Sequence, residues 1–151
     1  MTAKFAIEPF ARALPEMQPL FERHWREIAT YPDVPLNPDY EFYHAAAAAG
    51  LLVVYTARLD GRLVGYAVFI VRKGHLHYRD HGWALNDIIW VDPAVRGQRI
   101  GAGLMDFAEA SLRAAGFSFV HMRTKLKHPH LARLLEERGY ALIEYGHEKR
   151  L

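Results

Sequence analysis

The sequence predicts a mixed α/β domain with one central sheet and helices on its faces. Three observations carry this. Two apolar runs of strand length, residues 51–59 and Arg62–Arg72, flank Asp60-Gly61, a strong hairpin signal. Leu20, Phe21, Trp25 and Ile28 recur at helical spacing between polar residues. The two kinds of segment interleave along 151 residues without a repeat or a dividing linker, so residues 1–151 read as one domain.

In chain order, Lys4–Glu8 is the first strand. A first helix runs from Pro15 or Pro19 to Ala29. Residues 31–38 hold Pro32, Pro35 and Pro38 and form an irregular loop. Asn37 before Pro38 reads as the N-cap and first residue of a second helix, which reaches Ala49 and is capped by Gly50. After the hairpin, residues 84–91 form a third strand of this central group. A third helix starts near Gln98, buries Ile100, Leu104, Phe107, Ala108 and Leu112, and ends at Gly116. Residues 117–122 form a strand and residues 129–138 a fourth helix closed by Gly139. Residues 140–145 begin a last strand or strand pair.

Composition excludes several functions. Apolar types make up 51% of the chain, which rules out global disorder. The balance of 19 Lys+Arg against 17 Asp+Glu is too even for a nucleic-acid footprint, so no nucleic-acid partner is expected. The helix that follows Gln98 has only Arg113 as a base beside Asp106 and Glu109, which argues against a DNA-recognition helix. There is no cysteine, hence no thiolate nucleophile and no cysteine-ligated metal. His75, His77 and His81 lack a further ligand in sequence, so no metal is expected. No secretory signal opens the chain and no stretch approaches the ~20 apolar residues of a membrane helix. The expectation is a cytoplasmic protein without a membrane partner.

The chemistry concentrates in Val91-Asp92-Pro93-Ala94-Val95-Arg96-Gly97-Gln98-Arg99-Ile100-Gly101-Ala102-Gly103-Leu104. An apolar strand ends, a short turn follows, and a helix starts with small residues. A helix start leaves about four N–H groups without partners at an electropositive end, where phosphate is a natural guest. Glycine inside a helix costs roughly 0.5–1 kcal/mol relative to alanine. Gly101 and Gly103 therefore need a reason: approach of a pyrophosphate, or close packing on the sheet.

This stretch resembles the coenzyme A-binding motif of the GCN5-related N-acetyltransferase (GNAT) family, Arg/Gln-x-x-Gly-x-Gly/Ala. Arg96, Gly97, Ile100, Gly101 and Leu104 fit, whereas Arg99 stands where the family has its first glycine. Residues 128–140 resemble a later family segment, with Gly139-Tyr140 matching its end, His128 in place of an asparagine and Leu135 in place of a tyrosine.

The resemblance implies the acyl-CoA N-acyltransferase fold, a mostly antiparallel sheet splayed open beside the strand before the motif. It implies acetyl-coenzyme A as co-substrate and direct transfer of the acetyl group to the primary amine of a small molecule or protein. Ile89, Trp90 and Val91 would meet the pantetheine and acetyl groups. Amides of Arg96, Gly97, Gln98, Arg99, Ile100, Gly101 and Ala102 would hold the pyrophosphate. Lys125, Lys127 and Arg133 are candidates for the 3′-phosphate. Asp87 is the candidate base that the resemblance implies, since it lies nine residues before Arg96, where diamine acetyltransferases of the family carry a glutamate; an acid in an apolar strand is costly unless paired or functional, and local capping or pairing at the strand end is the alternative. The family's tyrosine acid is missing at Leu135; Tyr140 is the candidate acid, with Tyr145, His128, His130 or water as alternatives. Tyr31 and Asp33 in the loop between the first two helices are candidate acceptor contacts. The resemblance admits a homodimer. It also admits a non-catalytic acyl-coenzyme A sensor, since Leu135 carries no proton.

Overall fold

The computed structural model describes residues 2–151. Its sheet has five strands in the order β1 (Lys4–Glu8), β2 (Leu52–Leu59), β3 (Arg62–Arg72), β4 (Gly82–Val91) and β5 (Phe117–His121). The first three pairings are antiparallel and β4 runs parallel to β5. The β2–β3 hairpin turns through Asp60 (φ 48) and Gly61 (φ 84). Two left-handed residues make the turn that matches strand twist, as Asp-Gly predicts.

Strand alternation sends side chains to two cores. On one face, Val54, Tyr66, Val68 and Trp90 pack against Phe10, Ala13 and Met17 of α1 (Phe10–Ile28) and Ala46 of α2 (Tyr40–Ala48). On the other, Tyr55, Ala57, Phe69 and Ala84 pack against Ile100, Leu104, Ala108 and Leu112 of α3 (Ile100–Ala114). Each large apolar side chain so buried contributes about 1.5–3 kcal/mol. The fourth helix, α4 (Pro129–Glu137), ties to α3 through Arg138, which donates to Asp106 and Glu109. The mixed, mostly antiparallel sheet with helices on both faces is therefore as expected.

Three expectations need correction. Helix α1 begins at Phe10, not at Pro15 or Pro19, and both prolines lie inside it. Phe10, Ala13 and Met17 extend the buried stripe upstream, and their burial offsets the hydrogen bonds that the prolines remove. Helix α2 begins at Tyr40, and its N-cap is Asp39 rather than Asn37: the Asp39 carboxylate accepts the Phe42 amide at 2.9 Å. Residues 140–145 form no strand. Tyr140 turns its hydroxyl onto Glu109 of α3, and beyond it Leu142, Ile143 and Tyr145 are exposed while Glu144 meets His121 of β5 at 3.5 Å through side chains alone. Among the described residues, no helix is long and apolar enough to cross a membrane.

The sheet opens between β4 and β5. Backbone pairing stops at Leu85 opposite His121. At the next residue, the Asn86 side chain accepts the Arg123 amide at 2.6 Å and donates to the Arg123 carbonyl at 3.3 Å. Beyond this amide plug, residues 87–91 have a strand neighbour, β3, on one side only.

Candidate active site

The edge of β4 sets the geometry. Val68 pairs with Ile88 and Phe69 with Asn86, so Asp87 is the extra residue of a β-bulge. The Asp92 amide donates to Val64 of β3 at 2.8 Å. Antiparallel alternation then turns the main-chain groups of Trp90 toward β3, and those of Ile89 and Val91 away from it onto the open edge. The Val91 carbonyl confirms this direction, accepting Arg96 Nε at 2.9 Å.

Asp87 is half-buried and faces α2. The Tyr43 hydroxyl donates to Asp87 Oδ2 at 2.6 Å. Tyr43 is held in turn by stacking on Phe10, with ring centroids 5.6 Å apart. Burial, and then the bond to Asp87, push the Tyr43 pKa above its ordinary value, so the phenol keeps its proton and remains a donor.

Past the open edge the chain makes a tight turn. Asp92 is buried, and its carboxylate accepts the Ala94 amide at 3.0 Å and meets Arg23 and Arg62 at 3.4 and 3.3 Å. Burial works against its charge, but the Ala94 amide and the two arginines outweigh it and hold the carboxyl below its usual range. Gly97 (φ 83) and Arg99 (φ 61) are both left-handed. The first α-helical bond runs from the Gly103 amide to the Arg99 carbonyl. The amides of residues 97–102 thus have no partner among the described residues. The two glycines separate in role. A Cβ on Gly103 would sit 2.6 Å from Phe5, so Gly103 serves packing. A Cβ on Gly101 would meet only Val91 Cγ2 at 3.7 Å, which leaves open space in front of the free amides.

The sequence matches the Acetyltransferase (GNAT) family over residues 14–140. The chain belongs to the GNAT family of acetyltransferases. Such an enzyme draws its acetyl group from acetyl-coenzyme A. The residues present fit that donor: free amides beside a small residue suit a pyrophosphate, and an unpaired strand edge suits an amide-bearing arm. An aminoalkylphosphonate N-acetyltransferase of Salmonella typhimurium is 30% identical over 117 residues, 75% of either chain. An aminoglycoside acetyltransferase from an uncultured soil metagenomic sample, solved with sisomicin, superposes with a TM-score of 0.79 at 17% identity, covering 99% of this chain and 95% of that one. A ribosomal-protein-alanine N-acetyltransferase from Brucella melitensis biovar Abortus 2308 gives 0.76 at 19% identity over 99% of both chains.

The remaining residues of the GNAT reading take varied places. Trp90 is not on the open edge: its ring lies in the α1-side core and its indole N–H donates to Glu27 at 3.2 Å. The Arg96 amide is taken by the Pro93 carbonyl, and its guanidinium is held by both Glu27 carboxylate oxygens. These bonds lower the Glu27 pKa despite its partial burial. Only residues 97–102 of the expected cradle therefore offer amides. Lys125 donates to Thr30 Oγ1 at 3.1 Å and Lys127 to the Ala29 carbonyl, and the His128 ring meets the Glu27 carbonyl. These groups fasten the loop after α1. Tyr140 bonds Glu109 at 3.1 Å, and burial followed by the Glu109 charge raises its pKa. It lies with α3 and α4, and the structure does not bring it to Asp87. Leu135 is buried. Tyr31 and Asp33 meet the C-terminal segment, where Arg150 donates to Asp33 at 2.6 Å. Tyr43 and Glu27 were not anticipated. Their contacts span 44 residues to Asp87 and 69 to Arg96, and no local motif announces them.

Proposed function

We propose that this GNAT chain acetylates a primary amine, with Asp87 accepting the proton of the ammonium acceptor beside the open edge of β4. The single observation that supports this most is the Tyr43–Asp87 bond of 2.6 Å at the bulge, next to the unpaired main chain of Ile89. Tyr43 occupies Oδ2 and leaves Oδ1 for the acceptor. Bound at this edge, acetyl-coenzyme A supplies an acetyl carbonyl activated as a thioester, with a thiol as leaving group. The Ile89 amide is the donor placed for charge developing on that carbonyl oxygen. The amides of residues 97–102 and the α3 dipole hold the pyrophosphate. Arg96 orders the turn from behind by joining Val91 to Glu27. Tyr140, committed to Glu109, has no part in transfer in this reading, and water returns the proton to the thiolate. The absence of a membrane-crossing helix among the described residues and the water-soluble donor support a cytoplasmic site of action.

The acceptors named for the relatives, an aminoalkylphosphonate, an aminoglycoside and a ribosomal-protein alanine, support an amine nucleophile. A panel of such amines, assayed for thiol release and for the acetylated product by mass spectrometry, tests the reading. Acetylated amine formed at a rate above the solvent background is the expected result. Tight binding of acetyl-coenzyme A with no product from any amine would favour the sensor, the reading that the buried Leu135 supports.

A further inference from the structure

Glu27, in the last turn of α1, is bonded to three elements that border the open edge of β4. Its carboxylate accepts the two terminal guanidinium nitrogens of Arg96, one of them at 2.9 Å, and the Trp90 indole N–H at 3.2 Å. Trp90 stands between Ile89 and Val91, and Arg96 Nε reaches the Val91 carbonyl at 2.9 Å. Arg96 also leads directly into residues 97–102, whose amides have no partner among the described residues. The main-chain carbonyl of Glu27 serves the other half of the split sheet. It meets His128 Nε2, and the Ala29 carbonyl nearby accepts from Lys127. A helix end leaves such carbonyls without partners and favours cations beside them. The segment from Arg123 to His128 is therefore tied to the β4 side at both ends, by Asn86 at Arg123 and by Glu27 at His128. Most surface ion pairs contribute little, but the Glu27 side chain is only 25% exposed and its contact with Arg96 is bidentate.

We infer that Glu27 is a positioning residue for the donor, acting from behind the site in two separable ways. Its carboxylate fixes Arg96, and with it the start of the amide run proposed for the pyrophosphate. Its carbonyl, through His128, fixes the separation of the two halves of the sheet where the pantetheine arm enters. In this role Glu27 touches neither donor nor acceptor. The inference rests on the proposed seat of acetyl-coenzyme A at the open edge and deepens it.

Calorimetry on the full chain without acceptor tests this. The probes are acetyl-coenzyme A and ADP, which carries the pyrophosphate but no arm. Glu27→Gln keeps the size of the side chain but sets an amide against the guanidinium. Glu27→Gln and Arg96→Met should each weaken both probes about tenfold. The double variant should lose no more than either single one, because the two residues act through one contact. His128→Ala should weaken acetyl-coenzyme A a few-fold and leave ADP unchanged. Wild-type affinity for both probes in Glu27→Gln would overturn the inference, whether or not Tm falls, since Glu27 would then serve only the fold. So would an additive loss of about 100-fold in the double variant, or an equal response of the two probes to His128→Ala. Gly101→Glu separates the inference from the seat it rests on. If that variant weakens acetyl-coenzyme A and Glu27→Gln does not, the seat stands and the inference falls. If Gly101→Glu binds acetyl-coenzyme A as wild type does, the seat falls and the inference with it.

Discussion

The Tyr43 hydroxyl of α2 donates to the Asp87 carboxylate of β4 at 2.6 Å, joining positions 44 residues apart. This bond fixes the side chain of a bulge residue, which has no regular ladder to hold it. Tyr43 thereby acts as a positioning residue for the proposed base. Tyr43→Phe keeps the ring on Phe10 and removes only the donor. We expect kcat to fall about tenfold with the KM for acetyl-coenzyme A unchanged. A parallel loss in both parameters, together with a lowered Tm, would assign Tyr43 a structural role instead.

Gly101→Glu separates folding from donor binding because the two respond with opposite sign. The position has room for a side chain, since a Cβ there would lie 3.7 Å from Val91 Cγ2, and it belongs to the first turn of α3. A carboxylate there favours the helix dipole by about 0.3–1 kcal/mol, so thermal stability should hold or rise. The same charge faces the amides proposed for the pyrophosphate, and acetyl-coenzyme A affinity should fall at least about tenfold. Calorimetry and a melting curve on one sample check both.

Arg99 sits at φ 61, a conformation that L side chains other than Asn and Asp seldom adopt. Arg99→Gly relieves that strain but gives the unfolded chain more freedom. The expected net is a stabilisation of about 0.5–1 kcal/mol, read as a rise in Tm of roughly 2 °C. Unchanged acetyl-coenzyme A affinity in this variant would mean that Arg99 contributes its amide and not its side chain.

His24 is buried under the site, with Nδ1 3.0 Å from the Tyr66 hydroxyl, and burial lowers its pKa from 6.5 to about 4. The unfolded chain takes up this proton below pH about 6.5, whereas the folded chain does so only near pH about 4. Stability is therefore lost as pH falls through that window, by about 2 kcal/mol between pH 7 and pH 5. Urea unfolding at the two pH values should show a shallower loss for His24→Gln than for wild type.

Much of the scaffold was legible because local rules decide it. Asp60-Gly61 can serve one kind of hairpin turn, and the small residues after Gly97 mark a helix start. The misplaced start of α1 shows where local rules yield. Pro15 and Pro19 look like boundaries until the buried stripe from Phe10 to Met17 outweighs them. Half of the site was readable on the same terms: the motif located the turn, and an acid in an apolar strand drew attention to Asp87. The side on which Trp90 packs depends on strand parity, which the bulge at Asp87 changes. Tyr43, Glu27 and Arg150 reach their partners only through tertiary packing.

The most direct measurement is the rate of thiol release from acetyl-coenzyme A in the presence of an accepted amine, compared between wild type and Asp87→Asn with donor affinity measured alongside. The account predicts a loss of at least about 100-fold in kcat with acetyl-coenzyme A bound as tightly as before. Wild-type turnover by Asp87→Asn across the pH range would contradict it.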